Sequence, residues 1–257
     1  PIVAFVGKLI VSKGVDLLLA AWPLVVREIP DARLVVVGFG AYRDGLLTLL
    51  SALRTGDLSS AREVARRGRE LEGGPPGELR HLAAFLDGMD DRRRADYVEV
   101  ARPAAAGVSF TGRLEHSDLA DLLPACAAQV VPSTFPEAFG MVAVEGAACG
   151  ALPISAAHSG LAEVTAVLAE AVDEPVGELL SFAPGPDAVD ELGAKLVRWL
   201  RLEPAERERT AAALAAVAHA RFGWEGVARG VISAARGELD ELVAPGEPAG
   251  AVRPASG

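Results

Sequence analysis

The sequence predicts an α/β fold with a doubly wound parallel sheet. Short apolar segments alternate with helical patterns, and each segment is almost continuously apolar, as in parallel strands that are covered on both faces. Hydrophobic residues make up 51% of the 257 residues, which is enough for one large core. Strand–helix alternation of this kind is typical of a Rossmann-like domain. The five predicted strands are Ile2–Val6, Leu34–Val37, Val108–Phe110, Gln129–Val131 and Ala151–Ile154.

The predicted helices follow these strands in order. The first is Val15–Glu28, and we expect Pro23 to kink it. The helix Ser117–Leu123 opens with Ser117, a residue type that caps helix N-termini well. The other predicted helices are Gly140–Cys149, Leu161–Leu168, Asp187–Leu202, Pro204–Ala220 and Trp224–Glu238.

Residues 54–106 depart from this simple order. The segment is mostly helical in pattern, breaks at Gly73–Gly77, and carries ten arginines and ten acidic residues, so its net charge is zero. We expect a solvated helical insertion within a domain formed by residues 1–185, with contact to a substrate, a partner or another domain as the alternative. C-terminal helices at 186–240 and a disordered tail at 241–257 complete the predicted organisation.

Composition excludes some functions. The net charge of −10 argues against a general nucleic-acid-binding surface. The sequence contains no uninterrupted run of 18 apolar residues, so we expect no transmembrane helix. Cys126 and Cys149 lie in apolar surroundings, which favours a reducing, cytoplasmic location, with peripheral membrane association open for the full-length protein. Because the first strand begins at Ile2, we expect the chain to be a fragment of a longer protein.

A loop containing glycine and lysine, Gly7–Gly14, follows the first strand. The carboxyl end of a parallel strand is where α/β folds place ligands, and both terminal glycines allow close approach of the backbone. Lys8 and Lys13 are two of only three lysines among the 25 basic residues. Since a lysine ammonium acts as a point charge on phosphate oxygens, the loop predicts a phosphate contact.

A second loop, Ser133–Gly146, follows the fourth predicted strand and becomes a helix near Gly140. The first N–H groups of that helix, aided by its dipole, would form a site for a diphosphate. Glu145 lies one to two turns into the helix, where its carboxylate could accept hydrogen bonds from a vicinal diol such as a ribose. Glu137 precedes the helix and could reach sugar hydroxyls.

These residues resemble a known family. Glu137 and Glu145 are separated by seven residues, as in the Glu-x7-Glu motif of retaining GT-B glycosyltransferases, and the surrounding residues 136–146 resemble family 4 in particular. The similarity extends from Ile2 to Leu180, interrupted by the insertion. Its further matches are Gly7–Gly14 with the family's Gly-Arg…Lys-Gly loop, Val36–Gly40 with its Val-Gly-x-Gly turn, Phe110–Leu114 with the turn beside the nucleotide base, and Ser159–Glu163 with its Gly-Gly-x-x-Glu segment.

The resemblance implies a role for each matching residue. Lys8 and Lys13 would neutralise the donor diphosphate and the leaving nucleotide, and Glu137 would orient the donor sugar. Two positions depart from the family: Lys8 stands where an arginine is usual, and Ser159 replaces a glycine. The remaining residues expected to bind the donor are Gly7, Leu114 against the base, Phe139, Gly140, Met141 and Val142 in the sugar and phosphate cleft, and Glu145 on the ribose.

The implied function is transfer of a glycosyl group from a nucleotide-diphosphate sugar with retention at the anomeric carbon. It needs no cofactor and no metal, and the histidines lack metal-ligand spacing. The expected partners are the nucleotide-sugar donor and a missing N-terminal acceptor domain, without which the fragment should be inactive. A sugar-nucleotide epimerase of the same architecture and a non-catalytic nucleotide-sugar-binding module are the alternatives.

Overall fold

A computed structural model of the chain describes residues 1–238. Its centre is a six-stranded sheet in the order β3-β2-β1-β4-β5-β6, and every pair of neighbouring strands is parallel. The order reverses between β1 and β4, as in a doubly wound fold. The strands are β1 Ile2–Val6, β2 Arg33–Val37, β3 Val108–Gly112, β4 Ala128–Val131, β5 Leu152–Ala156 and β6 Ser181–Phe182.

Twelve α-helices surround the sheet within the described residues. Helix α1 begins and ends at the predicted residues and continues through Pro23 without interruption. The helices are α1 Val15–Glu28, α2 Arg43–Thr55, α3 Leu58–Arg67, α4 Arg80–Asp87, α5 Asp91–Ala104, α6 His116–Leu122, α7 Met141–Ala148, α8 Ser159–Ala169, α9 Glu174–Gly177, α10 Ala188–Leu200, α11 Pro204–Phe222 and α12 Trp224–Arg236.

The predicted fold class is confirmed, with local corrections. Strand β6 was not predicted, because two residues give no apolar period to recognise. The N-cap of α6 is Glu115 rather than Ser117: the Glu115 carboxylate accepts a hydrogen bond from the backbone of Asp118, and the Asp118 carboxylate accepts one from the Glu115 N–H at 3.1 Å. This capping box places Ser117 inside the helix. The predicted tail at 241–257 lies outside the described residues.

The insertion is helical, as predicted, but the expectation that it is merely solvated is wrong. Leu82, Phe85 and Tyr97 are at most 3% exposed and belong to the same core cluster as the strands and α1. The Tyr97 hydroxyl donates to the backbone oxygen of Ala20 in α1 at 2.8 Å. The balanced charge of the segment therefore covers only its outer surface, while its apolar residues extend the central core.

Candidate functional site

The two predicted ligand loops meet at the carboxyl edge of the sheet. One follows β1 and the other follows β4, so they flank the point where the strand order reverses. The backbone N–H of Thr134 donates to the oxygen of Ser12 at 2.9 Å, which joins the loops directly. A topological switch point of this kind is where open α/β sheets bind ligands.

Glycines allow these loops to pack backbone against backbone. Gly14 has φ 65°, and a Cβ there would lie 2.0 Å from the carbonyl oxygen of Pro132. A Cβ on Gly38 would lie 1.8 Å from the carbonyl oxygen of Gly7. Any larger residue would push the lysine loop away from its neighbours, so these positions fix the shape of the edge.

A pocket of about 250 Å³ lies at the β1 side of this edge. Gly7, Lys8 and Leu114 all line it, so the structure brings together predicted donor-contacting residues from two separate parts of the chain. Phe39 and Arg113 also contribute to its wall. The pocket thus combines apolar side chains with Lys8 and Arg113, and Glu115 and His116 also line it.

Lys13 and Glu137 form an ion pair across the two loops. Ser133 Oγ donates to the same Glu137 oxygen at 2.5 Å. Burial alone would raise the pKa of Glu137, but the hydrogen bonds from Lys13 and Ser133, with the nearby charges of Lys13 and His158, outweigh it and lower that pKa. Glu137 is therefore held as a carboxylate, which accepts hydrogen bonds from hydroxyl groups.

Helix α7 begins beside this ion pair. Its N-cap is Gly140 in the left-handed conformation, with φ 85°, so the helix itself begins at Met141, and Val142 lies in its first turn. The first N–H groups of a helix have no carbonyl partner within it and attract anions. Phe139 and Met141 are 52% and 44% exposed, and Glu145 is exposed on the first turns of α7.

Two residues that the sequence did not assign to the site hold Glu137 in place. Ser159 is the one non-glycine residue between positions 1 and 238 with a positive φ, 49°. Its Oγ accepts a hydrogen bond from the Glu137 N–H at 2.8 Å and lies 3.0 Å from His158 Nδ1. His158 Nε2 lies 2.7 Å from the Ser133 oxygen. The family resemblance places a glycine at position 159, and this glycine could have indicated the left-handed backbone that brings Ser159 to Glu137.

The insertion also reaches the lysine loop, which no feature of the sequence predicted. Glu72 Oε2 accepts a hydrogen bond from the backbone N–H of Val11 at 2.7 Å. This contact crosses 61 residues of sequence and fixes the middle of the loop that carries Lys8 and Lys13. The structure therefore shows that residues 54–106 contact the lysine loop of their own domain, whereas contact with a substrate, a partner or another domain stays a prediction.

The described residues contain no cluster of three or more histidine, cysteine, aspartate or glutamate side chains arranged to hold a metal ion. Across the same residues, every helix is too short or too polar to cross a membrane.

The sheet order, the two loops and the paired charges define a ligand-binding domain of the doubly wound α/β class. Comparison of sequences identifies the family: two models described as glycosyl transferases group 1 match residues 1–67 and 92–213. The chain belongs to the glycosyl transferases group 1.

Relatives and solved structures agree with this assignment. D-inositol 3-phosphate glycosyltransferase of Mycobacterium bovis is 33% identical over 174 residues, which are 66% of this chain and 32% of the relative. The chain thus spans about a third of the length of the curated relatives it matches.

Two solved structures share the fold. Anabaena Alr3699/HepE, crystallised with UDP and glucose, has a TM-score of 0.54 and 19% identity over 92% of this chain and 48% of its own. The catalytic domain of the Helicobacter pylori cholesterol-alpha-glucosyltransferase has a TM-score of 0.52 and 19% identity over 84% of this chain and 96% of its own. At these identities the structures establish a common GT-B-type domain fold.

Proposed function

We propose that this chain binds a nucleotide-diphosphate sugar and that the longer protein transfers its glycosyl group with retention of anomeric configuration. The observation that carries the proposal is the Lys13–Glu137 pair beside the start of α7. At this one edge, cations and free N–H groups suit a diphosphate, and a carboxylate suits sugar hydroxyls. The glycosyltransferase relatives and the UDP complex of the Anabaena structure support this donor class.

Each residue then has one task. Lys8 and the N–H groups of α7 bind the diphosphate, and Lys13 turns to it as the donor enters. Glu137, released from Lys13, accepts hydrogen bonds from the sugar. The lysines and the N–H groups also stabilise the negative charge on the departing nucleotide. This accelerates transfer, because that charge develops as the bond between sugar and phosphate breaks.

The remaining predicted contacts lie around the same diphosphate. Leu114 meets the base in the pocket shared with Gly7, and Glu145 accepts hydrogen bonds from the ribose. The exposed Phe139 and Met141 flank the sugar. No metal ion has a task in this arrangement, because the lysines and N–H groups supply the positive charge.

The acceptor must lie within a few ångströms of the anomeric carbon, and this positioning supplies much of the rate. We place the acceptor site in an N-terminal half that the 257 residues do not include. The chain alone should therefore bind the donor without transferring its sugar, and addition of that half should restore transfer. Robust transfer by residues 1–257 alone would contradict this division of labour.

Calorimetric titration with UDP-, GDP- and ADP-sugars tests donor binding and identifies the base. We expect one of these donors to bind and its affinity to fall in Glu137→Gln. The anomeric configuration of the transferred sugar, followed by NMR in the longer protein, then tests retention. An epimerised free nucleotide sugar would favour the epimerase, and binding without turnover by the longer protein would favour a binding module.

A further inference from the structure

A second pocket, of about 460 Å³, lies behind the lysine loop, where the insertion meets the start of α1. Its volume is within the usual range for small-molecule sites. Val11 and Thr134 line it from the two ligand loops, whereas Lys8, Lys13 and Glu137 do not. The loop therefore separates this cavity from the donor site, and its far wall is built by the insertion.

The pocket is lined by a hydrogen-bond acceptor, the Asp16 carboxyl group, that lacks a donor at one oxygen. Asp16 lines the pocket, is 2% exposed, and its Oδ1 atom has no hydrogen-bond partner among the described residues. Burial raises the pKa of Asp16 to about 7. A buried carboxyl oxygen without a partner costs stability, and a hydroxyl group that donates to it would remove that cost.

The pocket is also lined by an arginine, Arg80, whose side chain is not paired with an acidic residue. Glu78 is already paired with Arg62 at 2.8 Å, and Arg69 lies 3.8 Å from Glu72. The Arg80 side chain, in contrast, makes no hydrogen bond or ion pair within residues 1–238 and is exposed. A guanidinium in this position can bind a phosphate or carboxylate through two parallel hydrogen bonds.

We propose that this pocket binds a small hydroxylated anion, a sugar or polyol that carries a phosphate or carboxylate group. The acidic group lies at Arg80, with Arg69 and His81 nearby, and a hydroxyl donates to Asp16 Oδ1. A bare anion would leave Asp16 without a donor, and a neutral sugar would make no charged contact with Arg80. A ligand with both groups uses both Asp16 and Arg80.

The proposal does not depend on the proposed donor site, and the test separates the two. The 257-residue chain is titrated with glucose 1-phosphate, glucuronate, inorganic phosphate and glucose, each with UDP present in excess. We expect saturable binding of glucose 1-phosphate or glucuronate, and the better of the two identifies the acidic group. Inorganic phosphate and glucose should each bind at least tenfold more weakly.

Arg80→Gln should weaken this binding at least tenfold, whereas the donor-loop variant Lys13→Gln should leave it unchanged. Arg80 is exposed and unpaired, so its replacement should not disturb folding. Asp16→Ala, which removes the acceptor, should weaken binding of the hydroxylated anion more than that of inorganic phosphate. Three results would overturn the proposal: no saturable binding, equal binding of inorganic phosphate, or a loss that follows Lys13 rather than Arg80.

Discussion

The ligand edge and the insertion use their charged residues in opposite ways. At the edge, Lys13 and Glu137 are partly buried, face each other across two loops, and are held by further polar contacts. In the insertion, pairs such as Arg66–Glu63 lie on the outside of helices whose inner faces are buried. The comparison teaches that balanced charge along helices marks the solvated side of a structural element, whereas the paired charges in loops at strand ends lie where we propose that the donor binds.

The largest expected effect is on the stability of the insertion. Phe85 is 3% exposed, meets Tyr97 edge to face at 5.3 Å and lies under the Arg93 guanidinium. Phe85→Ala should lower the free energy of unfolding by about 3–5 kcal/mol, because it leaves a cavity in the shared core. Urea unfolding measures this loss.

Phe135→Ala is the matched control, since this ring is 67% exposed on the ligand edge. Its free energy of unfolding should change by no more than about 0.5 kcal/mol. Equal stability of the two variants would show that the insertion does not contribute to the common core. For the same reason, deletion of residues 58–104 should prevent folding instead of leaving an intact nucleotide-binding domain.

These two regions also differ in how far the sequence predicted them. Strands β1 and β4 and the loops after them were predicted from local patterns, because a buried parallel strand followed by glycine and a helix start is recognisable within ten residues. The packing of Tyr97 on α1 and the bond from Glu72 to Val11 were not predicted, because both depend on contacts between residues more than 60 positions apart. Residue roles at the edge came from the family resemblance and stay predictions.

The next largest effect is expected on nucleotide binding. Glu145→Ala should weaken UDP binding by about 1–3 kcal/mol, because it removes charge-assisted hydrogen bonds to the ribose. Calorimetry gives the affinity directly. Glu170→Ala, which removes another exposed carboxylate at the end of α8, should bind UDP as the unmodified chain does. An unchanged affinity in Glu145→Ala would remove this residue from the site.

The smallest expected effect is at Ser159, where two variants separate backbone strain from the hydrogen bond that positions Glu137. Ser159→Gly relieves the left-handed backbone, and Ser159→Ala keeps it, while both lose the bond to the Glu137 N–H. The glycine variant should therefore be more stable to urea than the alanine variant by about 1–2 kcal/mol. Both should retain UDP affinity and lose a few-fold in affinity for the UDP-sugar. Equal stability of the two variants would show that the serine backbone is unstrained.

The central claim is that Lys8 and Lys13 bind the diphosphate of the donor. The most direct test is the dependence of UDP affinity on salt concentration, because salt screens partly exposed charge pairs. The affinity of the unmodified chain should fall as salt rises, and the dependence should flatten in the double variant Lys8→Gln/Lys13→Gln. Lys195→Gln removes the third lysine, which pairs with Glu191 on α10 at 3.4 Å, and should keep the full dependence. A double variant that keeps the salt dependence of the unmodified chain would contradict the account.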